Sequence, residues 1–168
     1  LAQFIYRQAS AITVISQGFK KNLIKKGVPE NKIYFIPNWA NENIYRPVQT
    51  DIGLAEEVGL CGRFNIVYGG NFGPPQGLHN VIEAASLLTD LPEIQFVLIG
   101  DGLQRVELEQ AVKARRLSNV RFLPRQPESR MPFFYALADV LLVHLINDPL
   151  FEITIPSKTQ CYLACGKP

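Results

Sequence analysis

From residue 65 onward the chain repeats one unit, a short apolar run followed by an amphipathic stretch, and this alternation constrains the fold more than any other feature. Strands are expected at 65–68, 94–99, 120–123 and 140–145, and helices at 78–88, 104–115, 131–137 and 158–163. Runs such as Phe96-Val97-Leu98-Ile99 and Val140-Leu141-Leu142-Val143 are apolar at every position, without the alternation of a half-exposed sheet. Strands of that composition need both faces covered, which predicts a parallel sheet between two helical layers. The expected fold class is therefore α/β, a Rossmann-like parallel sheet flanked by helices. Open sheets of this kind take ligands at the carboxyl ends of their strands.

Upstream, Ala11-Ile-Thr-Val-Ile15 reads as a strand that enters a helix at a Ser16 cap, with Phe19, Leu23 and Ile24 on one face before Gly27 and Pro29. A further strand is expected at 32–36, and residues 2–7 are too few to classify. Between Asn41 and Arg63 the periodicity is broken by Pro47, Gly53, Gly59 and Gly62, with one or two helical turns at 52–58. That stretch is expected to be a linker.

Composition excludes several classes. The net charge of +2 and charged fraction of 19% leave no electrostatic footprint for nucleic acid. Lys20, Lys21, Lys25 and Lys26 do cluster on one helix, as a solvated face or as a contact for anionic lipid. Cys61, Cys161 and Cys165 form no CxxC pair, so neither a disulfide framework nor a zinc site is expected, and reduced thiols point to the cytoplasm. No run approaches the roughly 18 apolar residues that cross a bilayer, and Leu1 does not open a signal peptide. With a start that is not methionine and a stop at Pro168 just after a helix, where an α/β chain would normally go on to another strand, a fragment is expected.

Four polar loops fall on one edge of the expected sheet. Gly69-Gly-Asn-Phe-Gly-Pro-Pro-Gln-Gly77 joins a strand to a helix N-terminus and suits either a phosphate cradle or a tight connection, although it fits neither GxGxxG nor a P-loop. Gly100-Asp101-Gly102 follows the next strand, where Asp101 is expected to cap the helix or to receive a ligand donor. Arg125 and Gln126, between Pro124 and Pro127, supply donors to a base or phosphate, or sit exposed in a turn. The last loop carries His144, for which a structural role is expected, then Glu152 and Pro156-Ser157-Lys158. There a helix start and an ammonium would face one anion.

The ordered series Ala11-Ile-Thr-Val-Ile-Ser16, Ile33-Tyr-Phe-Ile-Pro37-Asn38, Val67-Tyr-Gly-Gly70, Val97-Leu-Ile-Gly-Asp-Gly102, Ala138-Asp-Val140 and Tyr162-Leu-Ala-Cys-Gly-Lys-Pro168 resembles family 4 glycosyltransferases across nearly the whole chain. The variants Gly70-Asn-Phe-Gly-Pro-Pro-Gln-Gly77 and Ile155-Pro-Ser-Lys158 resemble the branch that adds amino sugars during bacterial surface-polysaccharide assembly. The resemblance implies the GT-B architecture of two facing Rossmann-like domains. Residues 1–46 would be the tail of the N-terminal acceptor domain and the crossing, 47–63 a linker, and 64–168 the nucleotide-sugar-binding domain, incomplete at its C-terminus.

It also implies a function: retaining transfer of a sugar from a nucleoside diphosphate sugar, with a UDP-sugar the expected donor. The acceptor would be glycan- or lipid-linked, no metal or other cofactor would be required, and the place would be the cytoplasm, peripheral at the inner membrane face. A sugar-nucleotide epimerase and a non-catalytic nucleotide-sugar-binding module are the alternatives. Carried onto this chain, donor contacts fall on Gly70, Asn71, Gly73, Gln76, Gly77, Gly102, Arg125, Gln126, Ser157, Lys158 and Gln160, with Glu152 approaching the donor sugar.

Two departures stand out. Where the family pattern GRxxxxKG has Arg and Lys, this chain has Asn71 and Gln76, which leaves Ser157, Lys158 and the helix N-terminus to hold the diphosphate. The Glu-x7-Glu pattern keeps at most one carboxylate. One register pairs Glu152 with Gln160, whose amide would grip the ribose hydroxyls, and the other pairs Ile153 with Cys161.

Overall fold

The computed structural model describes residues 2–168, and the chain divides into two compact units. The smaller holds residues up to Trp39 together with Asn147–Ser157, and the larger holds Ala40–Ile146 and Lys158–Pro168.

In the smaller unit α1 (Ala2–Gln8) leads into β1 (Ile12–Val14), α2 (Gln17–Lys25) and β2 (Ile33–Phe35), and the two strands pair in parallel from Ile12↔Ile33 to Val14↔Phe35. Ser16 caps α2 as its residue type predicts, its Oγ accepting from the Phe19 N–H at 3.0 Å. The same hydroxyl donates to the Ile153 carbonyl at 2.5 Å, which ties residues 147–157 into this unit. Val14, Leu23, Val28 and Ile33 form its core.

The larger unit begins earlier than its regular alternation. Asp51 accepts from the Leu54 N–H at 3.0 Å and so caps α3 (Ile52–Val58), which ends at left-handed Gly59. Leu54, Ala55 and Leu60 are buried with the sheet. Residues 47–63, expected as a linker, therefore hold an element of the core. The prolines and glycines that suggested a linker flank that helix or lie within it.

β3 (Phe64–Asn71), α4 (Leu78–Ser86), β4 (Ile94–Asp101), α5 (Arg105–Ala114), β5 (Val120–Leu123), α6 (Met131–Ala136), β6 (Val140–Leu141) and α7 (Ser157–Ala164) follow. The sheet is all-parallel in the order β5-β4-β3-β6. Its faces segregate by the two-residue strand period. Val67, Val97 and Ile99 pack with α3, α6 and α7, while Tyr68, Phe96 and Leu98 pack with α4 and α5. Val67 and Val97 are fully buried, and each such side chain contributes about 1.5–3 kcal/mol.

The amino ends of the strands are closed by buried amides. Asn65 Nδ2 donates to the Leu60 carbonyl at 2.8 Å, the Asp139 carboxylate accepts the Asn65 N–H at 2.7 Å, and Asn119 Nδ2 donates to the Ala85 carbonyl at 2.8 Å. This end is fastened to itself. The opposite end carries the four loops.

Candidate functional site

Strand order reverses at β3, which is followed in the chain by β4 on one side while β6 lies on the other. Such a switch point opens a crevice at the strands' carboxyl ends. Here the β3–β6 ladder covers only Ile66↔Val140 and Val67↔Leu141, with one more bond from the Leu142 N–H to the Val67 carbonyl at 2.8 Å. The strand expected to reach 145 thus stops at Leu141. Beyond it the chain bonds to the glycine-rich loop: the Ile146 N–H donates to the Pro75 carbonyl at 3.0 Å, and His144 Nδ1 lies 2.7 Å from the Gln76 carbonyl. A carbonyl only accepts, so Nδ1 carries the proton. His144 has the structural role expected of it.

On its other side β3 stays paired with β4 to Asn71↔Asp101, further than the 65–68 run indicated. The extension depends on glycine. A Cβ on Gly100, whose φ is +151°, would run into the Gly70 carbonyl oxygen, so the two backbones meet with no room for a side chain. Gly102 also lies close to Asn71 and Phe72, where a Cβ would come within 2.7 Å of the Asn71 Oδ1. Asp101 does not cap α5. Its carboxylate accepts from the adjacent Gly102 N–H at 2.8 Å, and the cap position belongs to Gln104.

Lys158 is the central charge of this crevice. Its Nζ sits 3.7 Å from the centroid of the Tyr68 ring, and a Cβ on Gly70 would lie 2.9 Å from it. Among the described residues no carboxylate forms an ion pair with it. Burial pushes its pKa down to about 8, because the low-dielectric surroundings disfavour the ammonium. The ring face beneath offsets part of that cost. Tyr68 donates its hydroxyl to the Asn71 carbonyl at 2.7 Å, and burial raises the phenol above its ordinary value.

The other expected site residues lie on several loops and elements of the chain. Asn71 ends β3 exposed, and Gln76 turns inward, its Oε1 accepting from the Gly73 N–H at 3.2 Å. Gly77, left-handed, leads into α4. Arg125 is exposed, and Gln126 Nε2 donates to the Pro124 carbonyl at 3.1 Å. Gln160 is half-buried on α7. Glu152 and Ser157 belong to the smaller unit, where the Glu152 N–H donates to the Asp148 carbonyl at 3.1 Å. The larger unit thus brings together Gly70, Asn71, Gly102 and Lys158.

Residue-by-residue reading of the sequence missed Tyr68 and Tyr162. Tyr68 looked like one more apolar position in a strand. Tyr162 stands four residues after Lys158, and that helical spacing was the available signal.

The profile of glycosyl transferases group 1 matches residues 61–152, over half of the 168-residue chain. The chain belongs to that family. This group 1 glycosyltransferase chain is 34% identical over 158 residues to the putative colanic acid biosynthesis glycosyl transferase WcaI of Escherichia coli (strain K12), covering 92% of this chain and 38% of the relative. It is 26% identical over 172 residues to the alpha-galactosylglucosyldiacylglycerol synthase of Streptococcus pneumoniae, covering 93% and 43%. The chain spans about two fifths of the length of the curated relatives it matches. Among solved structures, Anabaena HepE in complex with UDP-glucose superposes with a TM-score of 0.83 at 23% identity, over 99% of this chain and 45% of HepE. The α/β fold with parallel sheets flanked by helices is therefore that of GT-B glycosyltransferase structures.

Proposed function

We propose that the protein containing this chain transfers a sugar from a UDP-sugar to a glycan- or lipid-linked acceptor in bacterial polysaccharide assembly. The observation that carries this reading is Lys158, a cation that no carboxylate pairs with among the described residues, held over Tyr68 close to Gly70 at the switch point of a parallel sheet. An ammonium in that position is matched to a diphosphate. The α4 N-terminus, at the end of the same loop, adds a partial positive charge.

In this reading Gly70, Asn71, Gly73, Gly77 and Gly102 let the diphosphate approach backbone, and Gln76 holds the turn in shape. Arg125 and Gln126 meet the base, Gln160 the ribose, Ser157 the diphosphate and Glu152 the donor sugar. Lys158 would stabilise the leaving UDP as the glycosidic bond breaks, which is electrostatic catalysis by a prepositioned charge. Relatives named for colanic acid and glycolipid synthesis support the acceptor class, and the HepE complexes with UDP and UDP-glucose support the donor.

Retention of configuration, amino-sugar specificity and turnover without a metal belong to the same proposal and rest on the family resemblance. So does a place in the cytoplasm, peripheral at the membrane. Exposed Lys21, Lys25 and Lys26 support contact with anionic lipid, while Lys20 is paired with Glu30 at 2.8 Å.

Calorimetric titration of the intact protein with UDP, GDP and ADP tests the donor class. UDP is expected to bind tightest, with Lys158→Met weakening it. Equal binding of all three, or none, sinks the reading. Product analysis with donor alone and with donor plus acceptor separates a transferase from an epimerase, which needs no acceptor.

A further inference from the structure

The gap between β3 and β6 holds a hydroxyl where a strand would be. After the Leu142 N–H bonds to the Val67 carbonyl, the next groups of β3 awaiting a parallel partner are the N–H and C=O of Gly69. Both are buried, and β6 has already turned away. Tyr162 serves both: its hydroxyl accepts from the Gly69 N–H at 2.9 Å and donates to the Gly69 carbonyl at 3.2 Å. A hydroxyl can do this because it carries one donor and two lone pairs. No apolar residue of the same shape can.

The ring is gripped from behind. Tyr135 meets it edge-on at 4.9 Å between centroids, and Tyr45 stacks on Tyr135 at 6.4 Å. Loss of the hydroxyl alone would leave the ring packed and the two Gly69 groups unpaired. Lys158 lies one turn before Tyr162 on the same face of α7, so the bond that fastens Tyr162 to β3 also fixes the ammonium. Nζ lies over the Tyr68 ring and where a Cβ on Gly70 would come within 2.9 Å, and these two residues flank Gly69.

We propose that Tyr162 is a positioning residue for the nucleotide site: its hydroxyl replaces the departed strand at Gly69, holds α7 against β3, and thereby sets the approach of the Lys158 ammonium to the Gly70 backbone. The inference rests on the reading of Lys158 as a diphosphate contact.

The test is Tyr162→Phe in the intact protein, with UDP affinity measured by calorimetry from pH 7 to pH 10. UDP is expected to bind about 5- to 10-fold more weakly at pH 7, the scale of one net hydrogen bond transmitted to the ligand. The pH at which affinity begins to fall is expected to move upward by about one unit, because a loosened α7 lets the ammonium hydrate. A purely structural tyrosine would lower the melting temperature and leave both quantities unchanged, and that result overturns the proposal. Should Tyr162→Phe fail to fold, 4-aminophenylalanine at Tyr162 keeps a donor in place but accepts weakly. An affinity and pH midpoint between wild type and complete loss are expected, and wild-type values refute the role. If the wild-type protein binds no UDP, the functional reading fails and this inference with it. If wild type binds and Lys158→Met weakens binding while Tyr162→Phe does not, only this inference fails.

Discussion

Replacing Lys158 with methionine is expected to move stability and ligand affinity in opposite directions. Burial holds the ammonium's pKa near 8 against an ordinary 10.5. At about 1.4 kcal/mol per unit, keeping it charged at pH 7 costs the free protein on the order of 3 kcal/mol. The group is still partly open to solvent, and the Tyr68 ring face returns about 1–2 kcal/mol, so the net cost is roughly 1–2 kcal/mol. Methionine fills similar volume without the charge, and the variant should melt a few degrees higher, about 2–4 °C per kcal/mol for a chain of this size.

The sign with pH follows from the depressed folded-state pKa. The penalty is complete below about pH 8 and is relieved as the pH climbs toward 10.5, where the unfolded chain also gives up its proton. The variant's advantage should therefore shrink between pH 8 and pH 10.5. UDP binding at pH 7 should weaken by about 10- to 100-fold through loss of a charge-assisted contact worth roughly 1.5–3 kcal/mol. Thermal melts of both proteins at pH 7 and pH 10, with a UDP titration at pH 7, measure all of this. A variant less stable than wild type at pH 7, or one that binds UDP as well, refutes the reasoning.

Other outcomes follow from the same geometry. In the wild type, UDP affinity should be flat up to about pH 8 and fall above it as Lys158 loses its proton before the ligand arrives; affinity constant to pH 10 would exclude Lys158 from the site. Gly100→Ala should destabilise by about 2–4 kcal/mol, because its Cβ meets the Gly70 carbonyl and its φ is +151°; denaturant melts within 0.5 kcal/mol or so of wild type would count against that close approach. Glu152→Gln should lower kcat by about 100-fold or more while UDP affinity stays within about twofold, and unchanged turnover removes Glu152 from the chemistry.

The sheet was legible because its strands carry short, continuous apolar runs, and the cap of α2 because Ser16 occupies a position where its hydroxyl has a single local use. What was not legible depended on distant partners. Helical turns at 52–58 could be read, but only the neighbouring sheet surface makes Leu54 and Ala55 a core. The run 140–145 has strand composition throughout, yet Pro75 and Gln76 supply carbonyls that draw it away after Leu141. Lys158 could be singled out from its place beside Pro156 and Ser157. The ring under it and the hydroxyl beyond it could not, since Tyr68 and Tyr162 acquire those roles only when α7 packs on β3.

The glycine-rich loop has a property that its composition conceals. The carbonyls of Asn71, Phe72, Gly73, Pro74, Pro75, Gln76 and Gly77 are each met by a donor from the protein: the Tyr68 hydroxyl, the N–H groups of Gln104, Gln76, Gly77 and Ile146, the His144 ring and the Asn80 N–H. One lone pair on each of these oxygens is committed before any ligand arrives. An anion approaching such a loop meets peptide dipoles whose negative ends are already engaged, so much of the repulsion a bare turn would present is absent. Under the proposed function, these engaged oxygens and the nearby Lys158 ammonium would let asparagine and glutamine stand where the family pattern has arginine and lysine.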